Sequence, residues 1–170
     1  MFQIVVMGVS GSGKSTIASG IARELGLSML DGDDLHLPES VAKMRSGVAL
    51  DDDDRWLWLD RISDYLGRSD TGHVVACSAL KRAYRDRIRN TAATVQFVFL
   101  DGNAELIEKR LALRTGHYMH PELLASQFST LERPAADEHD VITLDIQQPI
   151  DALVAKAVAA LRAKRATHQI

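Results

Sequence analysis

Four apolar residues in a row, Ile4-Val5-Val6-Met7, have the pattern of a strand covered on both faces, and they give way to small residues at Gly8. From Ser15 to Leu25 the period changes: Ile17, Ile21, Ala22 and Leu25 recur at helical spacing until Gly26 stops them. A short strand follows at Ser28 to Leu30, then a short helix over Pro38 to Met44 and a longer one from about Leu50 to Leu66. In that longer helix Trp56, Leu59, Ile62 and Leu66 are spaced as a core-facing stripe, and both tryptophans are read as packing residues. His73 to Cys77 reads as a third strand and Val95 to Leu100 as a fourth. Helices marked by Tyr84, Arg85, Ile88 and Arg89, and by Leu106, Ile107 and Leu111, follow them.

The pattern breaks at Thr115-Gly116-His117 and resumes as a helix over Pro121 to Leu131, a fifth strand at Val141 to Leu144 and a last helix from Pro149 to Ala163. That last helix turns Ile150, Leu153, Val154, Ala157, Val158 and Leu161 inward, with the tail from Lys164 expected to fray. Five short strands alternating with helices predict an α/β fold: a doubly wound, five-stranded parallel sheet with helices on both faces and right-handed crossovers. At 170 residues and 46% hydrophobic content the chain fits one domain, residues 1–170. The two stretches long enough to move over a site are a flap at about residues 34–66 and a lid at about 114–130.

Net charge −3 and a pI near 6.0 give no global basic field for nucleic acid or an anionic membrane. The apolar runs are too short to span a bilayer, and Met1-Phe2-Gln3 leads directly into the first strand, so the expectation is a cytoplasmic protein without a leader. The single cysteine, Cys77, lies within an apolar strand pattern and reads as a small buried hydrophobe.

Chemistry concentrates where the first strand ends. Gly8-Val9-Ser10-Gly11-Ser12-Gly13-Lys14-Ser15 fits G-x-x-x-x-G-K-[ST], the loop that wraps nucleotide phosphates with backbone N–H groups at the start of a helix. A triphosphate there would be met by Lys14, and Ser15 would face its Mg²⁺. The glycine spacing and the Lys-Ser that follows it argue against a dinucleotide fold. Asp31-Gly32-Asp33-Asp34, just past the second strand, lies on the same rim of a parallel sheet. The acidic run Asp51 to Asp54 is explained by capping and the helix dipole, with Asp51 or Asp52 as the N-cap. Arg55 faces either the cleft or solvent. Lys81 and Arg85, one turn apart, form either an anion site or a solvated helix face.

Arg110 and Arg114 enter the glycine-containing loop in the manner of a lid that closes on phosphates. His117 and His120 have the spacing of metal ligands but no cysteine beside them, and are not read as a metal site. An [NT]-K-x-D guanine-specifying stretch is absent, and the third strand ends in Cys77-Ser78 rather than in an acid, which argues against a regulatory GTPase and a motor ATPase. A small kinase fits better than a nucleotide-binding regulatory module, because Lys14-Ser15 and the acids are both present.

Beyond the phosphate loop, Leu30-Asp31-Gly32-Asp33, His36, Lys43-Met44, Ser46-Gly47, Asp52-Asp53-Asp54-Arg55, Cys77-Ser78-Ala79-Leu80-Lys81, Tyr84-Arg85-Asp86, Arg110, Arg114, Gly116-His117 and Gln127-Phe128 resemble the gluconokinase family over about residues 4–151. The resemblance implies a P-loop kinase fold similar to those of shikimate and nucleoside monophosphate kinases. It implies ATP-dependent phosphorylation of D-gluconate at the 6-hydroxyl, giving 6-phospho-D-gluconate and ADP, by a homodimer using ATP and Mg²⁺.

On that footing Gly8, Val9, Ser10, Gly11, Ser12, Gly13, Lys14, Ser15, Thr16 and Arg110 would hold ATP. Ser15, with Asp31 through a water, would hold Mg²⁺, and Lys14, Asp33 and Arg114 would carry catalysis, Asp33 as the base. Asp33, His36, Arg55, Lys81, Arg85 and His117 would contact the substrate. The sequence departs from the family at Ser40, where Asn is common, and at Leu57, where Pro is common. The runner-up is a kinase for another small hydroxy acid or for a nucleoside monophosphate, although shikimate kinases usually carry Gly-Gly-Gly where Ser78-Ala79-Leu80 stand.

Overall fold

Alternation along β1 (Gln3–Met7) divides the interior in two: Ile4 and Val6 point into one layer, Val5 and Met7 into the other, and all four are buried. The structure, a computed structural model, describes residues 3–68, 71–90, 94–113 and 121–167. Around β1 lie β2 (Ser28–Asp31), β3 (His73–Ala76), β4 (Val95–Asp101) and β5 (Val141–Asp145), all parallel, in the order β2-β3-β1-β4-β5. Val5 is in register with Val75 on one side and Phe97 on the other. Because every strand runs the same way, every carboxyl end reaches one rim, and the order reverses beside β1, where such sheets form their crevice.

Helices α1 (Lys14–Leu25) and α7 (Ile150–Thr167) cover one face, packing Ile17, Ile21, Leu153, Ala157 and Leu161 onto Ile4, Val6, Val98 and Leu100. Helices α3 (Asp52–Gly67) and α4 (Arg82–Arg89) cover the other, with Leu59, Ile62, Leu66, Tyr84 and Ile88 against Val5, Met7, Val75 and Phe97. Each fully buried side chain of this size contributes about 1.5–3 kcal/mol. The remaining helices, α2 (Pro38–Arg45), α5 (Ala104–Ala112) and α6 (Pro121–Thr130), lie toward the site. Among the described residues no helix is long and apolar enough to cross a membrane.

Three local expectations are corrected. Trp58, not Trp56, completes the buried stripe of α3: the two flank Leu59, Ile62 and Leu66 on opposite sides at the helical period, and it is Trp58 that packs inward. Trp56 instead meets Tyr84 edge-on at 5.5 Å. Ile150, read as facing inward, is half exposed at the first position of α7. The helix also continues through Lys164 to Thr167, where Ala, Lys and Arg are good helix formers and the basic residues suit its carboxyl end.

Just past β3, Cys77 donates its N–H to the Val6 carbonyl at 3.0 Å, and burial pushes its thiol up to about 12. Behind α4, Glu138 is buried in a double ion pair with Arg85 and Arg89, each at 2.7 Å. The Arg85 contact is the main reason its carboxyl is held down at about 2, against an ordinary 4.5. Folding therefore favours the ionised form: the pair contributes its full stability above pH 4.5 and loses it as the pH falls toward 2. Thermal melts should show Tm falling through that window, and Glu138→Gln should flatten the fall.

Candidate active site

The loop from Gly8 to Ser15 joins β1 to α1. At Gly8 (φ +148°) a side chain would meet the Leu100 carbonyl at 3.0 Å, and Gly13 (φ +98°) takes the left-handed conformation that turns the chain into α1. The loop is thus set at the positive end of α1, where backbone N–H groups and the helix dipole favour an anion. Lys14 Nζ donates to the Val9 carbonyl at 3.1 Å, and the Ser10 N–H donates to Gln127 Oε1 of α6 at 2.7 Å. In that contact a loop N–H donates to an oxygen, the kind of bond that a phosphate oxygen would take. Arg110 of α5 lies alongside, donating to the Ser12 carbonyl at 3.4 Å and the Ile146 carbonyl at 2.5 Å.

Asp31, at the end of β2, uses both carboxylate oxygens. One accepts the Ser15 hydroxyl at 2.7 Å; the other accepts the Asp33 N–H at 3.1 Å and caps the 3-10 turn Gly32–Leu35. This Ser15–Asp31 pair, a hydroxyl oxygen against a carboxylate beside the phosphate loop, is a hard oxygen donor set that fits Mg²⁺. The turn lifts Asp33 into the open, its side chain 79% exposed, with Oδ1 at 3.7 Å from His36 Nε2. His36, with Lys14 adding a smaller Coulomb contribution, holds the Asp33 carboxyl below its ordinary value.

His36 was expected to contact substrate directly; the structure places its ring behind Asp33, buried and stacked on Trp58 at 4.2 Å. Trp58 also donates Nε1–H to the Gly32 carbonyl at 2.7 Å, tying the turn to α3. Trp58→Phe should keep the stack but strand that buried carbonyl, lowering stability by about 1–3 kcal/mol in denaturant titrations.

A second cluster forms at the start of α3. Asp51 and Asp54 make a reciprocal capping box, and Lys43 of α2 reaches Asp54 at 2.5 Å and Asp51 at 3.1 Å. Asp51 is therefore the N-cap. Asp52 does something else: both its oxygens lie 2.9 Å from Lys81 Nζ, and it accepts the Tyr84 hydroxyl. Arg55 donates to that hydroxyl at 3.1 Å and lies 3.8 Å from Asp52. Two cations meet one acid at Asp52, whereas Lys43 faces two acids at Asp51 and Asp54, so the positive excess is local to Arg55 and Lys81; Tyr84 and Lys81 hold the Asp52 carboxyl below its ordinary value.

Arg85 does not join them. Expected as a substrate contact, it is 1% exposed and turned into the ion pair with Glu138. Arg114, His117 and His120 lie outside the described residues. Three participants went unassigned in the sequence: Asp52, Tyr84 and the Gln127 contact to the loop. The i,i+3 spacings Asp52–Arg55 and Lys81–Tyr84 were visible signals for the first two; for the third the signal was Gln127-Phe128 among the residues of the family resemblance, with no role attached.

The family model described as "AAA domain" matches residues 4–134. The thermoresistant gluconokinase of Escherichia coli K12 is 43% identical over 161 residues, 93% of this chain and 92% of that one. Among solved structures, a gluconokinase from Sinorhizobium meliloti 1021 superposes with a TM-score of 0.89 at 44% identity, covering 98% of this chain and 96% of that one. Shikimate kinase from Aquifex aeolicus, at TM-score 0.59 and 17% identity over 97% of this chain and 98% of that one, shares the fold.

Proposed function

The chain belongs to the gluconokinase family, and on that premise we propose that it transfers the γ-phosphoryl group of ATP to the 6-hydroxyl of D-gluconate. The observation that carries this reading is the convergence on one rim of the Gly8–Ser15 loop, the exposed carboxylate of Asp33 and the cationic pair Arg55 and Lys81. A small sugar acid needs all three: a donor site, a proton acceptor and a countercharge for its carboxylate.

In this reading the bond from the 6-hydroxyl oxygen to the γ-phosphorus forms as the bond to the β,γ-bridging oxygen breaks, and ADP leaves with that electron pair. The hydroxyl proton goes to Asp33. Its lowered pKa makes it a weak base that is ionised throughout the physiological range, which suits a loose transition state in which the proton moves late. Lys14 and the loop N–H groups take up the phosphate charge, and Arg110, with Arg114, closes over it. Ser15 and Asp31, the latter through water, would hold Mg²⁺, which would offset charge on the β and γ phosphates. Arg55 and Lys81 take the carboxylate, with Asp52 and Tyr84 fixing their approach.

In this reading residues 1–170 form one kinase domain, with a substrate flap at about residues 34–66 and a lid at about 114–130. The family resemblance extends it to a homodimer in the cytoplasm. ADP release measured across gluconate, shikimate, other sugar acids and nucleoside monophosphates tests the acceptor. Gluconate should be strongly preferred, and preference for a nucleoside monophosphate would overturn the assignment.

A further inference from the structure

Arg85 is a fully buried charge that the transfer chemistry does not use. Its Nε and Nη2 each meet one oxygen of Glu138 at 2.7 Å, and both side chains are 1% exposed. A bidentate pair of this kind satisfies the carboxylate and leaves Nη1 over. Nη1 points at three backbone carbonyls: Glu132 at 3.1 Å, and Ala79 and Leu80 at 3.3 Å each. Two of them belong to the loop between β3 and α4, which carries Lys81. The third follows α6, the helix whose Gln127 touches the phosphate loop.

The same two segments are also joined directly, the Glu132 N–H donating to the Leu80 carbonyl at 2.8 Å. Ala79 is the one non-glycine among the described residues with positive φ, +42°, and it is buried. A side chain held in that conformation persists only where its surroundings over-determine it, and here the guanidinium takes the carbonyls of Ala79 and Leu80, the two peptides that run from the strained position to Lys81.

We infer that Arg85 is a positioning residue: clamped by Glu138, it fixes the Ala79–Lys81 backbone against the segment leaving the lid helix, and so sets where Lys81 presents its charge to the acceptor. The inference rests on the reading of Lys81 as a contact for the gluconate carboxylate. It corrects the expectation of direct contact by Arg85 without removing the residue from function. Arg89 supplies the comparison, because it pairs with the same Glu138 carboxylate at 2.7 Å but its other bonds go to Asp86 and Asp140, away from the loop.

The test compares Arg85→Lys with Arg89→Lys. Lysine keeps the charge but has one point of attachment in place of a planar fork. Arg85→Lys should raise KM for gluconate by about tenfold while KM for ATP stays within about twofold, the signature of a lost acceptor-side interaction. Arg89→Lys should leave both KM values unchanged, whatever it does to Tm. Equal shifts in the two variants, a joint rise for ATP and gluconate, or no shift in Arg85→Lys would overturn the inference.

If Arg85→Lys does not fold, Glu138→Gln decides the matter: an amide offers the guanidinium one oxygen in place of two, so the clamp loosens while Arg85, Ala79 and Lys81 are all retained. KM for gluconate should then rise several-fold with KM for ATP unchanged, and an unchanged KM for gluconate would refute the clamp. Wild-type protein that turns over no gluconate defeats the functional reading instead, so the two failures are distinct.

Discussion

Asp33→Asn should lower kcat by about 10² to 10⁴, the range expected when a positioned proton acceptor is removed, with ATP affinity little changed. The substitution preserves shape and exposure, and the turn beneath it is held by Asp31 and Trp58, neither of which depends on the Asp33 carboxylate. What disappears is the ability to take a proton. Steady-state rates with gluconate, alongside nucleotide titration, separate the two properties, and near-normal turnover would remove Asp33 from the mechanism. The direction of its pKa adds a second readout. Because the Asp33 carboxyl is held below its ordinary 3.8, it is already ionised above that pH, so any acid limb that it contributes to the wild-type rate lies below 3.8. A fall between pH 5 and 7 would belong to another group.

Lys14→Ala should cost about 10² to 10³ in kcat, comparable to losing a preorganised charge stabiliser at a developing anion. Lys14 sits at the first position of α1, where the loop and the helix end already concentrate positive potential, and no other side chain of the loop carries a charge. An unaltered rate with ATP would contradict the assignment of the phosphate loop. The substitution also withdraws one of the influences that lower the Asp33 pKa, so any acid limb from Asp33 should move upward in this variant. That shift separates loss of the cation from a general loss of folding.

Much of this arrangement was legible in the chain, because it follows from short-range rules. The strand-loop-helix sequence around Gly8 to Ser15, the acids after β2 and the cap before α3 each depend on neighbours within a few residues, and the structure has them there. What was not legible depends on partners distant in sequence. Arg85 and Lys81 share a helical spacing that cannot tell which will meet Asp52 and which Glu138, residues respectively 29 positions before Lys81 and 53 after Arg85. His36 likewise reads as a polar flap residue until Trp58 is seen to cover it. The Trp56 and Trp58 exchange had a plainer cause: both positions lie near the stripe, and only the packing of α3 on the sheet decides between them.

The solitary thiol next to β3 offers a practical handle. With Cys77 1% exposed and its pKa near 12, the nucleophilic thiolate is scarce in the native protein, and disulfide reagents such as Ellman's should be met only when the sheet comes apart. Its modification rate is therefore a clock for opening of the central sheet beside the phosphate loop. Ligands that bind the closed form should slow that clock in proportion to their occupancy, allowing binding to be followed without any turnover.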